Sequence, residues 1–256
     1  MNIIGVIPVR MASTRFPGKP LAKIYGLPIV GHIYFRSKKN KKLKEVYIAT
    51  CDQEIGDYAD SISAKWVMTK STHRGASDRV AEAMSKIEKQ TKKKVDIVIM
   101  IQGDEPMIHP KIIDDVLKPI IKNKDIGVSN AIGIISDHKE FNDPNVVKVV
   151  VDKNNFALYF SREPIPSLKK GAEKVAMLKQ TGIIAFRREF LLNFDRLSPT
   201  PLEKIESVDM LRFLELGYKV KIVVIRLPLY SVDTKKDLLF VEKRMKKDKL
   251  MKYYLN

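Results

Sequence analysis

The residues best suited to chemistry fall in positions 7–21, IPVRMASTRFPGKPL. Arg10, Arg15 and Lys19 supply three positive charges, and Ser13 and Thr14 supply hydroxyl donors. The backbone between them, through Met11 and Ala12, supplies N–H groups, and its prolines stiffen the segment. Fixed donors combined with cations suit a polyphosphate. The segment has neither the G-x-x-x-x-G-K-[ST] spacing of a P-loop nor the G-x-G-x-x-G of a dinucleotide fingerprint. On composition alone it also reads as an ordinary basic surface loop. Asp104, in the stretch QGDEP, and Asp233, in SVDT, offer the carboxylate oxygens that Mg²⁺ takes beside substrate phosphates. Asp233 equally suits the N-cap of a following helix. A third polar stretch, STHRGASDR at 71–79, contains Ser77 and Arg79. It reads either as a loop that closes over a base or ribose, or as a surface turn with an N-cap.

These groups need a scaffold. The apolar run 3–7 reads as a buried parallel strand feeding the basic loop. Further strands are expected at 46–50, 66–68 and 97–101. They alternate with helices at 28–37, 52–63 (capped by Asp52), 77–89 and 109–122. Strand–helix alternation with short loops points to a parallel sheet covered by helices, with ligands at the carboxyl ends of the strands. The loops after the first strand and after the strand at 97–101 meet at that edge. The second half reads differently. Short strands at 128–134, 146–151, 157–161 and 181–186 suggest a mixed sheet or a small antiparallel lobe. Helices at 188–194 and 201–216, a strand at 220–225 and a helix at 234–247 complete the chain.

Composition narrows the classes. The 256 residues are 45% hydrophobic and 30% charged, as in a soluble globular protein. No apolar run approaches the roughly 20 residues that span a bilayer, and the N-terminus has no signal-peptide pattern, so a cytoplasmic protein is expected. One cysteine, Cys51, excludes an internal disulfide. The net charge of +17 admits a nucleic-acid surface or attraction of anionic substrates. The lysines sit in short clusters (38–44, 92–94, 243–249) without an aromatic RNA-binding signature or a recognition helix, so a solvated Lys-rich surface is expected. The four histidines lack ligand spacing for zinc. No activated serine or cysteine nucleophile is apparent.

Taken together, IPVRMASTRFPGKPL, VYIATCDQEI, MTKSTHRGASDRVAE, VIMIQGDEPMI, NVVKVVVDKNNFALYFSREPIP, PLEKIES and VDTKKDL resemble the CMP-Kdo synthetases, the 3-deoxy-manno-octulosonate (Kdo) cytidylyltransferases. The resemblance covers nearly the whole chain. It implies an α/β, Rossmann-like nucleotidyltransferase with a mostly parallel mixed sheet and a small dimerisation lobe, working as a homodimer. The nucleotide-binding part would span about 1–125, the sugar and dimer lobe about 126–215, and a return to the main sheet about 216–256. The implied reaction joins CTP to an acidic sugar, with Mg²⁺, giving a CMP-sugar for a lipopolysaccharide-type envelope, and pyrophosphate. By this likeness Arg10, Ser13, Arg15 and Lys19 hold the triphosphate, Ser77, Arg79 and Gln102 hold cytosine and ribose, and Asp104 and Asp233 carry the metal. Arg162, Gln180, Ile184, Glu206 and Met210 fall on the sugar side. Three of these depart from the family pattern: Gln180 replaces a His, Ile184 a Tyr and Met210 a Gln. Ser167 stands in place of a Trp, and RGASDR differs from the usual SGT-containing loop. Kdo is therefore the first expectation for the acceptor, with 8-amino-Kdo, another ulosonate or a phosphonate as alternatives.

Overall fold

The computed structural model describes residues 1–13, 15–73, 75–169 and 176–255. In chain order the elements are β1 (Ile3–Pro8), β2 (Lys23–Ile24), β3 (Leu27–Pro28), α1 (Ile29–Lys38), β4 (Glu45–Thr50), α2 (Gln53–Ser61), β5 (Lys65–Met68), α3 (Ala76–Thr91), β6 (Ile97–Ile101) and α4 (Pro110–Lys122). They continue with β7 (Val128–Ile134), α5 (His138–Asn142), β8 (Lys148–Val151), β9 (Ala157–Ser161), β10 (Leu178–Arg187), α6 (Arg188–Arg196), α7 (Pro201–Glu206), α8 (Met210–Glu215), β11 (Lys221–Val224) and α9 (Lys235–Met245). Two compact units emerge, Met1–Asp114 with Leu229–Asn256, and Asp115–Pro228.

In the first unit β6, β1, β4 and β5 pair in that order, all parallel. Every residue of β1 and β6 is buried, which is why both read as continuous apolar runs rather than alternating ones. Helices α1, α2 and α3 pack on these strands. The sheet places the β1, β4 and β6 exits side by side, with β1 in the middle. That order is what brings the chemistry together.

In the second unit β11 runs parallel to β7, while β7–β10, β10–β8 and β8–β9 are antiparallel. Lys221–Val224 groups with this unit through its parallel ladder to β7. The helix expected across 201–216 is two helices. Ser207 turns left-handed (φ 53°) between them, and the carbonyls of Glu206 and Ser207 accept hydrogen bonds from the Arg162 guanidinium. A side chain thus satisfies the carbonyls that a continuing helix would have used.

The C-terminal segment is fastened to α1 in the first unit. Arg36, fully buried, donates to the Tyr254 hydroxyl (2.8 Å) and pairs with Asp248. His32, also fully buried, lies 2.9 Å from the Ile24 carbonyl and 3.0 Å from the Tyr254 hydroxyl. These contacts assign a neutral ring, Nε2–H donating to Ile24 and Nδ1 accepting from Tyr254. Burial pushes its pKa down to about 4, with the Arg36 charge acting the same way. The unfolded chain then takes up this proton more readily than the folded one. The stability tied to His32 is complete above its unfolded pKa and is lost as pH falls from there toward 4. Between pH 7.5 and 5 the loss attributable to His32 is expected to be ~2 kcal/mol. Urea unfolding of the wild type and His32→Gln at the two pH values measures it; equal pH dependence in both would refute it.

Candidate active site

The basic loop begins where the β1–β4 ladder ends, with Val9 N–H donating to the Ala49 carbonyl (2.9 Å). The loop is cross-braced. Gly18 N–H donates to the Met11 carbonyl (3.1 Å), Phe16 N–H to Ser13 Oγ (3.3 Å), and Lys19 N–H to the Phe16 carbonyl (3.1 Å). Phe16 is buried, and Gly18 takes the left-handed conformation (φ 73°) that opens the turn into Lys19. Arg10, Ala12 and Arg15 are exposed. Thr14, expected to add a hydroxyl, lies outside the described residues. The Met11 N–H donates to Asp52 Oδ2 (2.7 Å), so that amide is committed inside the protein and is not a donor for a ligand.

Lys19 is the centre of the site. Its Nζ lies 3.4 Å from Asp104 Oδ2 and 3.2 Å from Asp233 Oδ1, and Arg15 reaches the same Asp233 oxygen at 3.1 Å. Asp104 follows β6, and its stretch presses against the end of β1. A Cβ on Gly103 would lie 2.1 Å from Val9 Cγ1, so this glycine serves close approach. The Asp104 carbonyl accepts from Val232 N–H (2.8 Å), which brings in the segment carrying Asp233. Thr234 caps α9 through a reciprocal box with Asp237, so Asp233 is not the cap and its carboxylate faces Lys19. Gln102 Nε2 donates to Asp104 Oδ2 (3.1 Å). Burial pushes the Asp104 carboxyl up, the Lys19 charge pulls it down, and Asp233 pushes it up again. Two carboxylates from separate segments thus converge on one cationic point. Among the described residues no group of three or more His, Cys, Asp or Glu is placed to hold a metal ion. Two carboxylates with the remaining positions open to phosphate oxygens and water is a donor set that Mg²⁺ accepts.

The polar stretch at 71–79 is clamped from α3. Arg79 Nη1 donates to Thr69 Oγ1 (2.5 Å) and to the Lys70 carbonyl (3.2 Å). One turn on, Glu82 accepts from Lys70 N–H (2.8 Å), His73 Nε2 (2.5 Å) and Lys86 Nζ (2.8 Å). Arg79, which anchors the base of the loop, is buried, and Ser77 fully so, so neither stands at its surface. Gly75, not Ser77 or Asp78, is the N-cap. Arg74 lies outside the described residues. Burial would raise the Glu82 carboxyl, but the donors from Lys86, the Lys70 backbone and His73 outweigh it and hold it at about 2. On the expectation that this loop closes over a base, Glu82→Ala should raise the KM for a nucleotide about tenfold by releasing both the Lys70 amide and His73. Initial rates over a nucleotide series measure this, and an unchanged KM would remove the clamp's role. Neither Glu82 nor Asp52 was singled out for the site at the sequence level, where Asp52 read as a helix cap.

In the second unit Glu206 accepts from Ser161 Oγ (2.9 Å) and Arg162 N–H (2.7 Å). All three Arg162 guanidinium nitrogens donate to backbone carbonyls, of Glu206, Pro144 and Ser207. Lys148, buried, donates to three more, of Asp143, Val146 and Arg162. Gln180 Nε2 donates to Asn130 Oδ1 (3.0 Å). Ile184 and Met210 are packed in the apolar interior at 1% and 0% exposure and present no surface to a ligand in this structure. Of the five expected sugar-side positions, Arg162 and Glu206 are therefore brought together, Gln180 is partly accessible on β10, and Ile184 and Met210 are core.

Residues 4–222 match a family model described as Cytidylyltransferase. A protein of Geobacter metallireducens named 3-deoxy-manno-octulosonate cytidylyltransferase is 40% identical over 248 residues, covering 93% of this chain and 95% of that protein. One of Shewanella pealeana, named 8-amino-3,8-dideoxy-manno-octulosonate cytidylyltransferase, is 38% identical over 249 residues, covering 97% and 100%. A solved structure described as CMP:2-keto-3-deoxy-manno-octonic acid synthetase complexed with CTP superposes with a TM-score of 0.87 at 35% identity, covering 96% of this chain and 99% of that one.

Proposed function

The chain belongs to the cytidylyltransferase family, and on that premise we propose that it transfers CMP from CTP to the anomeric hydroxyl of Kdo, releasing pyrophosphate. It is a nucleotidyltransferase with the Rossmann-like, mixed and mostly parallel α/β fold of that class. The observation that carries the reading is the Lys19 ammonium held between Asp104 and Asp233 at the end of the basic loop. In the reaction the sugar oxygen forms a bond to the α-phosphorus as the bond to the β-phosphate oxygen breaks, and the hydroxyl proton is lost to solvent. Charge moves onto pyrophosphate, so catalysis is positioning plus charge stabilisation. Arg10, Arg15 and Lys19 lie on the loop that would meet the triphosphate, and the arch held by Arg79 and Glu82 would bound the base. Asp104 and Asp233 would hold Mg²⁺, which supplies charge neutralisation at the phosphates when bound. Arg162 and Glu206 fix the backbone of the second unit near 161–163, where an acidic acceptor would be met. We further propose a homodimer acting in the cytoplasm and feeding lipopolysaccharide assembly; no helix among the described residues is long and apolar enough to cross a membrane.

Nothing in this site calls for nucleic acid, and the net charge of +17 needs no such partner. The test is pyrophosphate release with CTP and Mg²⁺ over Kdo, 8-amino-Kdo, sialic acid and small phosphonates. Turnover with Kdo well above the others is expected. Turnover with 8-amino-Kdo and not Kdo would move the acceptor to that of the Shewanella relative, and silence with every acid would end the reading.

A further inference from the structure

We propose that Asp52 is a positioning residue for the triphosphate loop, acting through the Met11 amide. The inference rests on the reading of the loop as the phosphate holder. Asp52 stands at the N-cap of α2, yet its side chain makes no capping bond there. Its carbonyl already accepts from Ile55 and Gly56 N–H (3.2 and 3.3 Å), so the helix start is served by backbone. The carboxylate instead turns to β1's loop and accepts Met11 N–H at 2.7 Å. Its own N–H is tied to Thr50 Oγ1 (3.1 Å) at the end of β4.

The register explains the use. Pro8 pairs with Ala49, and Val9 N–H is the last backbone donor of the ladder. Two residues on, the Asp52 side chain takes the place that a strand carbonyl would have filled, and extends the β1–β4 edge by one bond. At its other end the loop delivers Lys19 to Asp104 after β6. β4 and β6 flank β1 on opposite sides, so the loop is moored on both. One mooring holds backbone and the other holds the charged side chain.

A carboxylate placed behind a loop that meets a triphosphate is electrostatically unfavourable for the nucleotide. Its use there is explained by the hydrogen bond and not by the charge. That distinction makes the inference testable, because asparagine keeps an acceptor oxygen and removes the charge. Three proteins are compared, wild type, Asp52→Asn and Asp52→Ala. The measurements are hydrogen exchange at the Met11 amide, and KM and kcat for CTP and for the acceptor. Asp52→Ala is expected to speed Met11 exchange at least about tenfold and to raise the KM for CTP about tenfold or more, leaving the KM for the acceptor unchanged. Asp52→Asn is expected to keep Met11 protected and to bind CTP as well as the wild type or better. Equal protection of Met11 in all three, or Asp52→Asn as impaired toward CTP as Asp52→Ala, would overturn the proposal. Exchange following the expected pattern in a protein that does not use CTP would leave the mooring standing and sink the functional reading instead.

Discussion

Asp104→Asn is expected to lower pyrophosphate release about a thousandfold, ~4 kcal/mol of transition-state stabilisation, without lowering the melting temperature. The two halves of this expectation have one cause. Asp104 sits at the exit of β6 with 8% exposure, held by Gln102 and by its carbonyl bond to Val232. Burial raises its pKa above that of the unfolded chain; Lys19 opposes and Asp233 adds to the rise. A carboxyl raised in the folded state is protonated more readily there than in the unfolded chain. At neutral pH its ionised form therefore subtracts from stability, and acidification through the raised pKa relieves that cost. An amide relieves it at every pH. Lys19 keeps Asp233 as its partner at 3.2 Å, so no buried cation is stranded. Activity has no such substitute, because the amide cannot supply the anionic oxygen that the metal and Lys19 would use. Thermal melts beside pyrophosphate assays decide the matter. More than a tenth of wild-type activity in Asp104→Asn would remove this carboxylate from the chemistry, and a lowered melting temperature would show that its charge is structural.

How much of this was legible in the sequence depends on the kind of force involved. Apolar runs that bury whole strands, such as 3–7 and 97–101, were readable, since burial on both faces leaves an unbroken hydrophobic pattern. Groups facing a common point were partly readable. Lys19 and Asp104 follow strands that a parallel sheet must set side by side, and the fold joins them at 3.4 Å. The choice between neighbouring hydrogen-bond partners was not readable. Asp52 and Thr234 both precede a helix and both are good cap residues; the second caps, and the first reaches 41 positions back to Met11. Asp233 escaped a capping role because Thr234, one residue on, took it. The break at Ser207 was hidden for the same reason. Positions 201–216 carry a helical pattern, and the competitor that ends the first helix is Arg162, far away in sequence. The sugar-side substitutions show a further limit. Ile184 and Met210 read as changed contacts, while their burial makes them part of the interior of the second unit.

Lys19→Met is expected to separate two functions that the wild type combines. Turnover should fall between a hundredfold and a thousandfold, roughly 3–4 kcal/mol, because the loop would lose the cation proposed to meet the transferred phosphates. Divalent cation binding to the nucleotide-free protein should become tighter. In the structure the ammonium stands 3.2 and 3.4 Å from the two carboxylates that would carry the metal, and so competes for them. Arg15 cannot replace it. Its contact with Asp233 joins groups that are 48% and 35% exposed, and such pairs contribute about 0–1 kcal/mol. On the proposed reading, CTP would offer the ammonium phosphate as an alternative partner and so release the carboxylates from it. Nucleotide and cation then favour each other's binding, and by linkage the effect is equal in both directions. Removing the ammonium would remove that exchange, so the mutual enhancement expected of the wild type should shrink. Calorimetric titration of Mg²⁺ and of CTP, each with and without the other, measures all four affinities in both proteins. Weaker cation binding in Lys19→Met would mean that the ammonium organises the two carboxylates for the metal, and that the competition inferred from the 3.2 and 3.4 Å contacts does not operate.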